Sequence, residues 1–316
     1  MSSENEVLDL IAKIKENIAR VMVGKEQAAD MVLIALICGG HILIEDVPGL
    51  GKTTLVATLA RTLDCSFRRI QFTPDVLPSD VTGFTSINLK TGEREVNFGA
   101  VMAQIVLADE INRTSPKTQS SLLEVMQEGQ VTIDGVSYPV PQPFIVLATQ
   151  NPVELIGTYP LPEAQLDRFL LKISLGYPQR DEELNILKRN KGFKPLDELK
   201  SVADAKDVLF LRDKHKEVLC TQPILEYIVS IVNATRNNEK VLLGVSPRGS
   251  LALMNAAMAH AMLHGRSYTL PDDVQFMAEP VLAHRLILHP QGSQKKETPE
   301  TILTGILRSI KIPGPA

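Results

Sequence analysis

The chain has no excess of positive charge: 33 Lys and Arg stand against 37 Asp and Glu, for a net charge of -4 over 316 residues. With a sequence pI near 5.9, this balance gives no global attraction to nucleic acid or to an anionic membrane surface, although local basic patches remain allowed. No apolar run approaches the ~18 residues that cross a bilayer. The opening segment Met1 to Glu6 is acidic and leads into an amphipathic stretch from Val7 to Met22 carrying Lys13, Lys15 and Arg20. That is neither the basic start nor the continuous apolar centre of a secretory signal. Cysteine is scarce, and Cys38, Cys65 and Cys220 lie far apart with no C-x-x-C spacing. The expectation is reduced thiols in a cytoplasmic protein, acting as small buried apolar residues. There is no internal repeat of about 20 to 50 residues and no low-complexity segment. What remains, with 44% hydrophobic and 22% charged residues, is an ordinary globular composition on a chain long enough for two cores or one large one.

Short apolar runs alternate with helical patterns over the first half. The spacing predicts strands at His41 to Glu45, Phe67 to Phe72, Gln104 to Asp109, Phe144 to Thr149 and Leu170 to Leu175. Such alternation predicts an α/β fold, a parallel five-stranded sheet flanked by helices. Two insertions read as hairpins: Ser86 to Phe98, turning near Thr91-Gly92, and Val131 to Tyr138 with an Asp-Gly turn. Beyond Tyr177-Pro178 only helices are expected: Arg180 to Asn190, Val202 to Arg212, Pro223 to Arg236, Pro247 to His264, Pro271 to Glu279 and Pro299 to Ile310. Several open with Pro in the first turn, a favourable starting residue. This places an α/β domain at 1–178 and an all-α domain at 179–316, with a loose tail from Lys311.

The most informative segment is Asp46-Val47-Pro48-Gly49-Leu50-Gly51-Lys52-Thr53, which follows the strand ending at Glu45 and opens the helical pattern continuing through Thr54 to Ala60. Strand, glycine-bearing loop and helix are what a phosphate-binding P-loop requires. Loop N–H groups and the positive helix end face the phosphates, Lys52 reaches the outer two, and the Thr53 hydroxyl can ligate Mg²⁺. Asp46 replaces the usual first glycine. Asp tolerates unusual turn dihedrals, so phosphate binding is expected to survive.

Further polar residues end buried strands. Ile105 to Glu110 closes on two acids; beside a P-loop, Asp109 can hold the Mg²⁺ shell while Glu110 polarises the attacking water. Alone, the same pattern is a solvated strand end. Asn151, after the Phe144 run, has both donor and acceptor for a water and a γ-phosphate, and reads equally well as an Asn-Pro turn. Arg168 precedes the last strand, where a neighbouring subunit can use it to stabilise phosphoryl charge; the plain alternative is a surface Asp-Arg pair. Arg248, in Ser246-Pro247-Arg248-Gly249, opens a helix of the second half and is expected to reach the phosphates of its own chain, with a simple exposed helix start as the alternative.

Taken together, these motifs resemble an AAA+ ATPase of the MoxR family. The resemblance also rests on Val23-Gly24-Lys25-Glu26-Gln27, on Gln71 to Gly83, on Ala108 to Arg113 and on Glu163 to Phe169. It spans about residues 5 to 310, and Asp46 is itself common in that family. The resemblance implies Walker A at Lys52 and Thr53, with the loop residues Pro48, Gly49, Leu50 and Gly51 and the following Thr54. It implies Walker B at Asp109 and Glu110, sensor 1 at Asn151, an arginine finger at Arg168 and sensor 2 at Arg248. Val23 and Gly24 would lie beside the adenine, and Thr53 and Asp109 would hold Mg²⁺. Residues 81–98 match the helix-2 insert, and 131–138 the pre-sensor-1 hairpin. A hexameric ring is implied, hydrolysing ATP to remodel, assemble or activate partner proteins that often carry a von Willebrand factor A domain.

The competing reading is an AAA+ motor or loader acting on nucleic acid, which needs a positive pore. Lys90, Arg94 and Lys117 supply some charge, but Glu93 and Glu95 offset it. A nucleotide-gated scaffold without turnover sits poorly with Glu110, Asn151 and Arg168 together. His260 and His264 have metal-ligand spacing, yet with no third ligand they read as ordinary helix surface. Lys188-Arg189 and Lys295-Lys296 read as solvated charge pairs.

Overall fold

The computed structural model describes residues 2–153, 157–189, 195–289 and 297–314. Two helices open the chain, α1 (Ser2–Ala19) and α2 (Glu26–Cys38). Strand β1 (Ile42–Glu45) leads through the glycine loop into α3 (Lys52–Thr62), and β2 (Phe67–Gln71) and α4 (Pro78–Thr82) follow. The hairpin β3 (Gly83–Ile87) and β4 (Arg94–Phe98) precedes β5 (Ile105–Asp109) and α5 (Pro116–Glu128). A second hairpin, β6 (Gln130–Ile133) and β7 (Val136–Pro139), precedes β8 (Ile145–Gln150). The α/β part closes with α6 (Glu163–Leu166) and β9 (Leu171–Ile173).

The sheet order is β2-β5-β8-β1-β9, and every pairing within it is parallel. Side chains alternate across it with the two-residue period of a strand. Ile42, Ile44, Ile105, Leu107, Ile145 and Leu147 face one core with α1, α2 and α3. Leu43, Val106, Ala108, Val146 and Ala148 face the other, with α5 and the second hairpin. Burial on both faces explains why β1, β5 and β8 read as continuous apolar runs. The expected strands occur at their expected places: β1, β2 and β5 are each one residue shorter, β8 is shifted by one residue, and β9 keeps only the middle of the expected run. The first hairpin begins earlier than read, at Gly83, and the turn of the second has Asp134 and Gly135 both at positive φ, 49° and 81°, as a two-residue hairpin requires.

From α7 (Arg180–Arg189) onward the chain is helical, through α8 (Pro195–Glu198), α9 (Ala205–His215), α10 (Gln222–Arg236), α11 (Pro247–Leu263), α12 (Pro271–Leu282) and α13 (Pro299–Ser309). Among the described residues a small antiparallel ladder interrupts it, β10 (Val241–Leu243) with β11 (Ile287–Leu288). The helix expected from Val202 begins at Ala205, because Asp204 caps it by accepting from the N–H groups of Lys206 and Asp207. The helix from Pro271 runs past Glu279 and contains Pro280. Asn190, Lys295 and Lys296 fall outside the described residues. The apolar core of this half joins that of α1, α2 and the sheet.

Candidate functional site

Because Glu45 pairs with Gln150 and Ala108 with Ala148, the carboxyl ends of β1, β5 and β8 lie side by side. One sheet edge therefore carries the glycine loop, Asp109-Glu110 and Asn151 together, as open parallel sheets do at their ligand edge. Gly49 and Gly51 hold φ of 89° and 86°, left-handed conformations that glycine adopts without a Cβ penalty. Gly51 is the N-cap of α3 and supplies no side-chain cap, so the first N–H groups of that helix are left to a ligand. Lys52 Nζ arches over the loop and donates to the carbonyls of Asp46 at 2.9 Å and Val47 at 3.3 Å.

Beside the loop is a cavity of about 510 Å³, lined by Val23, Gly49, Leu50, Gly51 and Thr54 and, across from them, by Pro178, Ile186 and Leu196. Thus Val23 joins the P-loop as expected. Gly24 does not line that cavity; it backs onto α7, where a Cβ at Gly24 would lie 2.1 Å from Glu182 Cδ. Pro48 is exposed at the loop's turn.

The two acids are held by side chains that sequence reasoning did not assign. Asp109, 9% exposed, accepts from the Thr149 hydroxyl at 2.6 Å through Oδ1 and from Arg69 Nη2 at 2.6 Å through Oδ2. The Glu110 N–H donates to the same Thr149 hydroxyl at 2.9 Å. Glu110 itself sits at φ 58°, ψ 49°, a left-handed conformation that costs a non-glycine residue of order 1 kcal/mol and marks functional sites. Its Oε2 accepts from Gln71 Nε2 at 2.8 Å and pairs with Arg113 Nε at 3.3 Å. Asn151 is buried, and its Oδ1 accepts the Val153 N–H at 3.1 Å, so the Asn-Pro turn exists at the same sheet edge as the acids.

The donor set fits a magnesium nucleotide. One hydroxyl at Thr53 and one carboxylate at Asp109 suit Mg²⁺, which takes few protein ligands and completes its shell with phosphate and water. Among the described residues no cluster of three or more His, Cys, Asp or Glu forms an all-protein metal cage. His260 is not ordinary surface either: Asp273 Oδ1 lies 2.6 Å from its Nδ1, and Arg266 holds both oxygens of the same carboxylate. The cysteine expectation is also corrected in part, since all three are free but only partly buried as residues. Burial of the Cys38 thiol still pushes its pKa up to about 12.

Two expectations need a physical correction. Asp46 is absent from the left-handed residues; it is buried and serves as an acceptor, taking the Ser174 hydroxyl at 2.7 Å and the Leu175 N–H. Arg248 does not reach the phosphate loop of its own chain. It lines a cavity of about 260 Å³ with Arg168, His41, Leu170 and Arg285. His41 and Leu170 immediately precede β1 and β9, so this cavity lies at the amino edge of the sheet, opposite the P-loop at the carboxyl edge. The loop bearing Arg168 is fastened there by Arg285, buried, whose Nε donates to Asp167 Oδ1 at 2.7 Å and whose Nη2 donates to Phe169 O at 2.6 Å.

A doubly covered parallel sheet, a glycine loop opening α3, two acids at the end of β5, one strand beyond β8, and a helical lid define a P-loop ATPase of the AAA+ class. Residues 41–171 match the family described as ATPase family associated with various cellular activities (AAA), and residues 233–306 match the AAA lid domain. The chain is 41% identical to Chaperone MoxR1 of Mycobacterium tuberculosis over 94% of this chain and 80% of that protein. It is 51% identical to the uncharacterized protein YeaC of Bacillus subtilis, over 99% and 98% of the two chains. A Cytophaga hutchinsonii crystal structure, described as a candidate ATPase, superposes with a TM-score of 0.91 at 41% identity, covering 99% of this chain and 98% of that one. The chain belongs to the MoxR family of AAA+ ATPases.

Proposed function

We propose that this chain binds Mg²⁺-ATP at the carboxyl edge of its sheet and hydrolyses it to ADP and phosphate as a ring, using the cycle to remodel or activate a partner protein. The observation that carries the reading is the meeting of the Lys52-Thr53 loop, Asp109, Glu110 and Asn151 at one sheet edge, beside a cavity that takes a nucleoside. The first N–H groups of α3 and Lys52 hold the phosphates. Thr53 and Asp109 would hold Mg²⁺, which offsets charge on the phosphates. Glu110 orients and polarises the attacking water, and Asn151 holds it against the γ-phosphate.

Arg168 and Arg248 stand together at the opposite edge, 260 Å³ of cavity between them and Arg285. In a head-to-tail ring that edge meets a neighbour's P-loop, so both arginines act on the neighbour's nucleotide. This supports a closed ring, for which we take the six subunits that the family resemblance implies. A partner is supported by the name of the chaperone relative and by the first hairpin, where Leu89 is 97% exposed and Phe84, Ile87 and Phe98 are exposed as well, an apolar surface that marks an interaction site. A von Willebrand factor A domain is the partner class we favour, and the boundary between the α/β domain and the lid is placed at Pro178. Among the described residues no helix is long and apolar enough to cross a membrane; the three free thiols favour the cytoplasm.

Equilibrium ATP binding and phosphate release on wild type, Lys52→Ala and Glu110→Gln test the reading. Lys52→Ala is expected to lose binding, and Glu110→Gln to keep binding while turnover falls about 100-fold or more. Equal turnover in wild type and Glu110→Gln would remove Glu110 from the chemistry.

A further inference from the structure

Asp46 stands where the β1–β9 ladder runs out. The parallel register ends at Ile44 opposite Ile173, and two residues on, the Asp46 carboxylate takes the place of backbone pairing. Its Oδ1 accepts from the Ser174 hydroxyl at 2.7 Å and the Gly176 N–H at 3.4 Å, and its Oδ2 accepts the Leu175 N–H. From the other side Lys25 Nζ donates to the carbonyls of Leu175 at 2.8 Å and Gly176 at 3.1 Å. One carboxylate and one ammonium therefore hold donors and acceptors of two consecutive residues. That pair is the crossing into the helical half. Gly176 has φ 63°, and Tyr177, Pro178 and α7 follow directly.

We propose that Asp46 and Lys25 are positioning residues that clamp the Leu175–Gly176 crossing, and so set the distance between the P-loop and the cavity wall formed by Pro178 and Ile186. The inference rests on the reading that this cavity takes the nucleotide. A glycine at position 46 would supply the usual loop conformation but leave the buried Leu175 N–H without its acceptor. Gly24, at φ 68°, adds a third point of contact, since the Glu182 carboxylate of α7 packs against it. The wall touches nucleotide alike before and during phosphoryl transfer. Loosening it therefore weakens ground state and transition state together, which raises KM and spares kcat.

The test compares Asp46→Gly, Lys25→Met, Lys25→Arg and the Asp46→Gly/Lys25→Met double variant in the full chain. Hydrogen exchange without nucleotide is read at the Leu175 and Gly176 amides, and ATP turnover gives KM and kcat. Asp46→Gly and Lys25→Met are each expected to speed exchange at the crossing and raise KM about tenfold, with kcat within about twofold. Lys25→Arg keeps the donors and stays near wild type. The double variant falls short of the product of the two single effects, because both loosen one crossing. Unchanged exchange at the crossing, or a fall in kcat at constant KM, would overturn the proposal. Should Asp46→Gly fail to fold, Lys25→Met decides it by the same two readings. A wild-type chain that binds no ATP sinks the functional reading instead, and the exchange result then stands by itself.

Discussion

The Gln71 side-chain amide donates to Glu110 Oε2 at 2.8 Å, so the outermost strand of the sheet holds the acid that ends its neighbour. Arg113 shares the same oxygen at 3.3 Å. The Gln71 contact draws the carboxylate toward the β2 edge, and the chain leaves that edge at once for α4 and the exposed hairpin. Gln71→Leu keeps the volume and removes the donor. Its basal ATP turnover is expected to rise about three- to tenfold, the worth of one solvent-exposed hydrogen bond, with KM little changed. A fall in kcat would mean that Gln71 aims Glu110 productively rather than restraining it.

Strand ends were legible in the sequence because buried parallel strands write themselves as apolar runs and turns as glycine, and this placed Lys52, Asp109 and Asn151 on one edge. The partners of those residues were not legible. Arg69 and Gln71 lie in β2, whose pattern of exposed and buried residues is that of an ordinary edge strand, and nothing local says that β2 pairs with β5 in a register setting Gln71 opposite Asp109. The place of Arg248 at the amino edge was not legible for a related reason. A helix-start motif gives a position along the chain, but which sheet edge it meets depends on how α11 packs against α2 and α12, through tertiary contacts that no local motif spells out.

Arg69 provides a second test. Its guanidinium lies 2.6 Å from Asp109 Oδ2, on the carboxylate proposed to hold Mg²⁺. A cation that leaves the site on replacement no longer competes for that oxygen. Arg69→Met is therefore expected to lower the Mg²⁺ concentration needed for half-maximal turnover by about three- to tenfold, since the Arg69 side of the pair is half exposed and partly screened. A metal titration at saturating ATP reads it. An unchanged or higher requirement would show that Arg69 supports the carboxylate in its working position.

His41 makes the fold sensitive to acid. Its Nδ1 accepts the Val146 N–H at 3.0 Å, so the ring proton sits on Nε2 and is donated to Met126 O at 2.9 Å. Burial pushes the pKa down from 6.5 to about 4, with the charges of Arg212 and Arg248 adding to it and the Met126 contact opposing. The folded chain thus takes up this proton less readily than the unfolded one. The stabilisation is complete above pH 6.5 and is lost as pH falls toward 4. Between pH 8 and pH 5 His41 alone lowers stability by about 2 kcal/mol, and burial of His284 and His215 acts in the same direction. Urea unfolding at the two pH values should show that loss, and His41→Gln should show a smaller one from a lower starting stability. An equal pH dependence in both chains would remove His41 as its source.

The placement of Arg168 and Arg248 on one cavity, across the sheet from their own Lys52, predicts how mixed rings behave. Each arginine variant alone should lose turnover about 1,000-fold, as removal of a phosphoryl-stabilising arginine does. Lys52→Ala subunits carry intact arginines, so mixing them equally with Arg168→Ala should restore about a quarter of the interfaces, and mixing with Arg248→Ala should do the same. The decisive mixture is Arg168→Ala with Arg248→Ala. If both arginines reach the neighbour from the same face, every interface lacks one of them and turnover stays low. If Arg248 instead served its own nucleotide, an Arg168→Ala P-loop beside an Arg248→Ala neighbour would have both arginines, and about a quarter of the interfaces would work. Recovery in that mixture would return Arg248 to its own chain and require the helical half to swing across the sheet during the cycle. Continued silence, with recovery in the two Lys52→Ala mixtures, fixes both arginines as gifts to the next subunit.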